Sequence, residues 1–169
     1  MALLVLVSLT LAVGCVGYQF GHRTLYAQDI RTVHVPVFES NSFRRNLGER
    51  LTEAIVREIE VKTPYKVVSA DRADSVLYGR ITNDAKRTVA EDRLDNPRVA
   101  ELSLLVQADW RRRDGEPVGS QIQINVPDAI RVIEASQLIP EAGQSISTAQ
   151  QAVIDKVAQD IVAQMETPW

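Results

Sequence analysis

Apolar and polar positions alternate along this chain with two different periods, and the change of period marks out its elements. From Ile30 to Phe38, Val33, Val35 and Val37 alternate with Thr32, His34 and Pro36, the period of two that turns one side of a strand towards a core. Pro36 has no amide hydrogen to offer a neighbouring strand, so it predicts an edge position or a local irregularity. From Phe43 to Val61 the period lengthens. Phe43, Leu47, Leu51, Ile55 and Ile59 recur every four residues, while Arg44, Arg45, Glu49, Arg50, Glu53, Arg57 and Glu58 fill the other side. That pattern predicts a helix lying on a sheet, capped by Asn41 or Ser42 and stopped by Pro64.

Beyond Pro64 the pattern predicts mainly strands. Tyr65–Val68 is a short one and Ser75–Thr82 a stronger one, with Gly79 marking a bulge or close packing of a helix. Asn83–Arg98 is polar, and Asn96-Pro97 reads as a turn. Leu102, Leu104, Val106, Ala108 and Trp110 then alternate with Ser103, Leu105, Gln107, Asp109 and Arg111, and Asp114-Gly115 signals a hairpin whose return strand carries Val118, Ile122, Ile124 and Val126. This pair is expected to be the longest hairpin. Pro127–Gly143 gives no clear period. Ser147 opens a second helix, with Gln150 completing a capping box, an apolar stripe from Val153 to Met165, and Pro168 as its end. The expected fold is α+β: a two-layer sandwich with two α-helices packed on one face of a mixed, mostly antiparallel, four- to five-stranded sheet.

Composition supports one folded unit: 169 residues, 45% of them hydrophobic, are enough for one core. The net charge of −3 gives no overall attraction to nucleic acid. The charge is uneven, however, since residues 114–169 hold two basic and eight acidic side chains.

A single cysteine rules out an internal disulfide and makes its surroundings decisive. Residues 1–14 carry no ionisable side chain, and a helix of that length spans about 20 Å, short of the roughly 30 Å of bilayer hydrocarbon. The stretch is read as a signal peptide. It ends Leu11-Ala-Val-Gly-Cys15, which resembles the lipobox of bacterial lipoproteins, in which the cysteine becomes the acylated first residue. Two or three acyl chains on Cys15 would make release from the membrane negligible. Expected organisation is therefore a signal peptide over 1–14, a lipidated tether over 15–29 and one α+β domain over 30–169. Val16 in the second mature position, by resemblance to lipoprotein sorting rules, points to the outer membrane.

Several stretches, in this order, resemble the lipopolysaccharide-assembly lipoproteins, the LptE-like family: Cys15-Val-Gly-Tyr18, Ile30–Phe38, Leu47–Thr52, Thr63-Pro-Tyr65, Ala73–Gly79, and the end from Ile139-Pro140 to Met165 and Trp169. The resemblance implies an outer-membrane lipoprotein at the periplasmic face that assists lipopolysaccharide assembly as plug and partner of the β-barrel LptD. Its alternative is a lipid-anchored periplasmic binding or scaffolding module of the cell envelope with no barrel partner.

Catalytic and metal chemistry find little support. His22 and His34 stand alone, with no second cysteine at ligand spacing, and no nucleophile elbow, zinc-protease or phosphate-loop motif occurs. No cofactor, no enzymatic activity and no nucleic-acid partner are expected. His34 is most simply a strand residue. One basic cluster suits the phosphates of a glycolipid headgroup, namely Arg111, Arg112 and Arg113 beside Trp110, with Lys86, Arg87 and Arg93 on a nearby connection. The plainer account of these arginines is solubility, with Asp109, Asp114 and Glu116 as partners.

Overall fold

The computed structural model describes residues 25–91, 97–118, 130–138 and 145–166. The expected signal peptide, Cys15, most of the tether, Arg93 and the return strand beyond Val118 lie outside them.

The elements run β1 (Thr32–His34), β2 (Glu39–Ser40), α1 (Leu47–Lys62), β3 (Lys66–Val67), a 3-10 turn (Ala70–Arg72), β4 (Ser75–Glu91), β5 (Pro97–Arg112), β6 (Ile130–Leu138) and α2 (Ile146–Ala163). Strand order is β3-β1-β4-β5-β6, with β2 beside β4. The mostly antiparallel, four- to five-stranded sheet expected from sequence is corrected here. Among the described residues the sheet has six strands, and three of its five pairings are parallel: β1 with β3, β1 with β4 and β2 with β4. Only β4–β5 and β5–β6 are antiparallel. The cause is the crossover through α1, which returns the chain to the same end of the sheet so that β3 and β4 start in the direction of β1. The strands it joins are two or three residues long, too short to show a period.

Helix α1 starts later than its apolar repeat suggests. Phe43 continues the four-residue spacing yet is fully exposed, because the chain turns first: Asn46 adopts a left-handed conformation (φ 57°) and no side chain caps the helix. The helix stops at Thr63, whose N–H and Oγ both donate to the Ile59 carbonyl. Helix α2 is capped by Ser145, whose side chain accepts from the Thr148 N–H at 3.1 Å, so the cap lies two residues before the expected Ser147. Along β5 every second residue from Ala100 to Trp110 is buried, which fixes the face that both helices cover. Leu51, Ile55 and Ile59 of α1 and Ile154, Val157 and Ile161 of α2 meet this face in one cluster. Each such side chain contributes about 1.5–3 kcal/mol relative to exposure.

Phe38 is the wedge between sheet and helix. Its ring lies so close to Gly79 of β4 that a Cβ there would sit inside it, and its carbonyl lies equally close to Gly48 of α1. The Phe38 N–H donates to Thr52 Oγ1 (2.9 Å), which itself donates to the Gly48 carbonyl. Gly79 thus marks close packing, though of a side chain and not of a helix. Past Pro36 the alternation of the first strand slips. Val33 and Val35 are buried, but Val37 is 61% exposed and Phe38 takes the inward place.

Two stretches without strand periodicity form strands. Asn83–Glu91 continues β4 against β5, and Ile130–Leu138 pairs with Ala100–Ala108 as β6. Among the described residues the longest antiparallel pair is β4–β5, while the expected return strand of the hairpin at Asp114-Gly115 lies outside them beyond Val118. That turn does form, with Gly115 at φ 91° and Val118 N–H bonded to the Trp110 carbonyl.

Candidate functional site

The β4–β5 ladder has two ends, and the candidate basic residues are divided between them. Arg111 pairs with Val76, whereas Lys86 pairs with Leu102. Nine residues of strand, roughly 30 Å, lie between the two positions. Arg111–Arg113 and Lys86–Arg87 therefore do not form one cluster.

The first end is where the described chain begins at Leu25, the end at which the tether is expected, and it is held by several bonds. Tyr26 and Tyr65 meet edge to face with ring centroids 5.6 Å apart, and Tyr65 meets Trp110 at 5.5 Å. Around this stack every polar tip has a partner. The Tyr26 hydroxyl lies 3.1 Å from the Lys62 carbonyl and 3.3 Å from Glu166 Oε1. The Ala27 N–H donates to Tyr65 Oη (2.9 Å), and Trp110 Nε1 donates to Ser75 Oγ (3.0 Å). The chain is thereby fixed to both helices and to β4 and β5 within a few residues of where the tether joins it. Burial pushes the Tyr65 phenol up to about 12.

Asp74 is the second fastening. Its Oδ2 accepts from the N–H groups of Arg31 and Thr32, each at 3.0 Å, which holds the carboxyl below its usual range. The Asp74 carbonyl accepts from the Arg113 N–H at 2.9 Å. The three arginines of this end are already engaged. Arg111 Nε donates to Asp109 Oδ2 (2.6 Å), Arg112 donates through Nε and Nη2 to Asp29 Oδ2 (3.0 and 2.7 Å), and Arg113 Nη2 donates to the Asp71 carbonyl (3.1 Å). The Arg112 guanidinium keeps the Asp29 carboxyl below its ordinary value. Of the acidic neighbours expected for these arginines, Asp109 pairs with Arg111, while Asp29 and Asp71 come from parts of the sequence that no local spacing connects. His34 behaves as a strand residue, with Nδ1 3.0 Å from the Val68 carbonyl.

The far end is built differently. β2 meets β4 at Arg80 and Ile81, and the following turn is clamped to Asp84: Ser42 Oγ donates to Asp84 Oδ2 (2.7 Å) and Arg44 Nε lies 2.8 Å from the same oxygen. Phe43, between these two, is held outward with its whole side chain in solvent. Beside it runs a groove of about 340 Å³ lined by residues 41–44 and 81–84. From Ala85 to Glu91 the outer edge of β4 meets no strand among the described residues. Arg87 reaches Glu101 at 3.5 Å, and Lys86 is exposed with no ion pair among the described residues. Sequence reasoning missed this end because its signal, an aromatic residue in helical register, is the same as that of a core position.

Among the described residues no group of three or more His, Cys, Asp or Glu converges as a metal site, and no helix is long and apolar enough to cross a membrane.

The sequence model of a family described as LptE, lipopolysaccharide-assembly, matches residues 30–167. No curated protein matches the chain. Among solved structures, the fold is similar to an uncharacterized lipoprotein B from Nitrosomonas europaea (15% identity, 89% of this chain and 90% of that one, TM-score 0.57). It is similar also to a hypothetical protein from Chlamydia trachomatis (13%, 79% and 94%, TM-score 0.51). A third likeness is to the PelC dodecamer from Paraburkholderia phytofirmans (11%, 79% and 90%, TM-score 0.50). At these identities the likeness is one of fold.

Proposed function

The chain belongs to the lipopolysaccharide-assembly (LptE) family, and from that premise we propose that it is an outer-membrane lipoprotein, acylated at Cys15, that partners an LptD-like β-barrel on the periplasmic face. The family match across residues 30–167 carries the reading. The construction of the tether root supports it. Ten residues separate Cys15 from Leu25, a reach of at most about 35 Å, so an acylated Cys15 keeps the Tyr26 end of the domain close to the bilayer. The stack of Tyr26, Tyr65 and Trp110 fastens the inner end of that leash to the domain.

For any contact with lipopolysaccharide phosphates, the position of Arg111, Arg112 and Arg113 beside Asp29 supports these three side chains as the candidates. They lie at the membrane-proximal end, and Arg112 is bonded to Asp29 close to the tether. The Arg112–Asp29 pair is exposed and worth about 0–1 kcal/mol, so exchanging that carboxylate for a phosphate costs little. Lys86 and Arg87 lie at the opposite end of the ladder and would need a separate contact. Function here is support and delivery without chemistry: the domain holds a barrel and presents guanidinium forks to a glycolipid headgroup.

Gentle detergent extraction of the tagged, native lipoprotein tests the reading. A β-barrel of much larger mass in stoichiometric amount is expected, together with a fatty-acylated Cys15 at the start of the mature chain. Extraction without a barrel contradicts it.

A further inference from the structure

The far end of the ladder has three features that the tether-end chemistry does not use: a presented aromatic side chain, a groove and an unpaired strand edge. Phe43 owes its position to its neighbours. Ser42 and Arg44 both bind Asp84 Oδ2, so the turn between them cannot fold the ring back onto the sheet, and it stands fully exposed. A large apolar side chain held in water by a clamp of short polar bonds has the character of a binding anchor. Immediately past the clamp, the main chain of β4 from Ala85 to Glu91 offers its outer N–H and C=O groups to no strand among the described residues. Such an edge is a template for one more strand.

Charge selects what the edge accepts. The Asp84 carboxylate is taken up by Ser42 and Arg44, and Glu91, the other acidic residue of this stretch, stands at its end, five positions beyond Lys86. Lys86 and Arg45 are both exposed and have no ion pair among the described residues. Lys86 faces Leu102 across the ladder, so it stands on the helix side of the sheet, two residues and roughly 7 Å beyond Asp84. Pairing this edge with that of a second copy would set Lys86 and Arg87 beside the same cations, a repulsive arrangement. The groove, lined by Asn41, Ser42, Thr82 and Asn83 besides Phe43 and Ile81, is too polar for an acyl chain.

We propose that Phe43 and the outer edge of β4 over Ala85–Glu91 receive an extended, carboxylate-bearing segment of the barrel partner, which adds to the sheet as a further strand. The segment sets an apolar side chain against Phe43 and a carboxylate near Lys86, and its main chain satisfies the unpaired edge. This surface lies away from the tether root, so anchoring and docking use opposite ends of one ladder. The inference rests on the barrel reading above.

The test is site-specific photocrosslinking in the native lipoprotein, in cells that hold its own envelope partners. A photoreactive phenylalanine derivative is placed at Phe43 and, as a control, at Val61, an exposed apolar position near the opposite end of α1. The inference predicts a crosslink from Phe43 to the barrel and none from Val61. It also predicts that Lys86→Glu lowers the Phe43 yield by at least about threefold while Lys86→Arg retains it, with both variants melting like the parent. A barrel that copurifies but crosslinks at Val61 and not at Phe43 overturns the inference and leaves the functional reading standing. A crosslink from Phe43 to a second copy of the chain overturns it too. Absence of any barrel from the parent extract overturns the functional reading, and the docking surface falls with it.

Discussion

At the tether end of the β4–β5 ladder, Leu77 lies opposite Trp110 and both are buried. At the far end Lys86 and Thr88 are exposed opposite Leu102 and Ala100. The inner side of β5 is buried from Ala100 to Trp110, with Leu47 of α1 and Val153 and Ile154 of α2 beside Leu102 and Leu104, and the aromatic stack at Trp110. β4 loses its cover where α1 gives way to the turn at Asn46. Continuity of a ladder therefore does not mean uniform stability: the same strand is core at Leu77 and an open edge at Lys86. Regions with few buried contacts and exposed main-chain bonds open most easily, and here that region begins where the aromatic anchor is displayed.

This contrast is broken most severely at the wedge between the two ends. Phe38→Ala removes the ring that packs on Gly79 and is expected to cost about 3–5 kcal/mol in chemical denaturation. Gly79→Ala alone is expected to destabilise as well, because its Cβ needs space the ring occupies. Combining it with Phe38→Ala should cost clearly less than the sum, since one change makes room for the other. Strict additivity would mean that the two residues do not meet.

Tyr65→Phe is the next largest, at about 1–3 kcal/mol, because it strands the Ala27 N–H. It carries a pH signature. The folded state holds the Tyr65 proton up to about pH 12, whereas an unfolded tyrosine releases it near 10. Above pH 10 the unfolded state thus binds fewer protons, and stability should decline from there until the folded phenol ionises near 12. Melting temperatures across that range should fall less in Tyr65→Phe than in the parent; Tyr26, whose phenol is also raised by burial, would account for a residual slope.

Asp29→Asn tests the outer layer of the same end. It removes the partner of Arg112 and is expected to cost at most about 1 kcal/mol. The loss should vanish at low pH, since a carboxyl held below its normal value stabilises only while ionised, and the benefit disappears as pH falls through its folded value. The smallest effect belongs to the far end. Arg87→Ala should shift stability by less than about 0.5 kcal/mol, as expected of an exposed strand residue with a weak pair.

What could be read beforehand follows the same division. The long periodic segments, α1 from Leu47 onward, α2 and the alternation from Leu102 to Trp110, are legible because burial repeats over many residues. The parallel part of the sheet is not, because β1, β2 and β3 offer two or three residues each and their direction is decided by the crossover. Asn83–Glu91 reads as a loop because neither of its faces is covered by a helix, so its alternation carries no apolar signal, yet its main chain still pairs with β5. Phe43 is the instructive error. Its spacing is that of Leu47 and Leu51, and only the tertiary bonds of Ser42 and Arg44 to Asp84 take it out of the stripe. The arginine cluster was legible as a cluster at Arg111–Arg113, but its partners Asp29 and Asp71 and its distance from Lys86 are properties of the fold.

Hydrogen–deuterium exchange on the native lipoprotein, alone and in complex with the proposed barrel partner, addresses the division of labour between the two ends most directly. Alone, the amides of Leu77–Ile81 should exchange slowly and those of Lys86–Glu91 faster. In the complex, Lys86–Glu91 should gain protection while Leu77–Ile81 stays unchanged. If the complex forms and the far-end amides exchange as freely as before, with new protection confined to the tether root, docking at the open edge is contradicted.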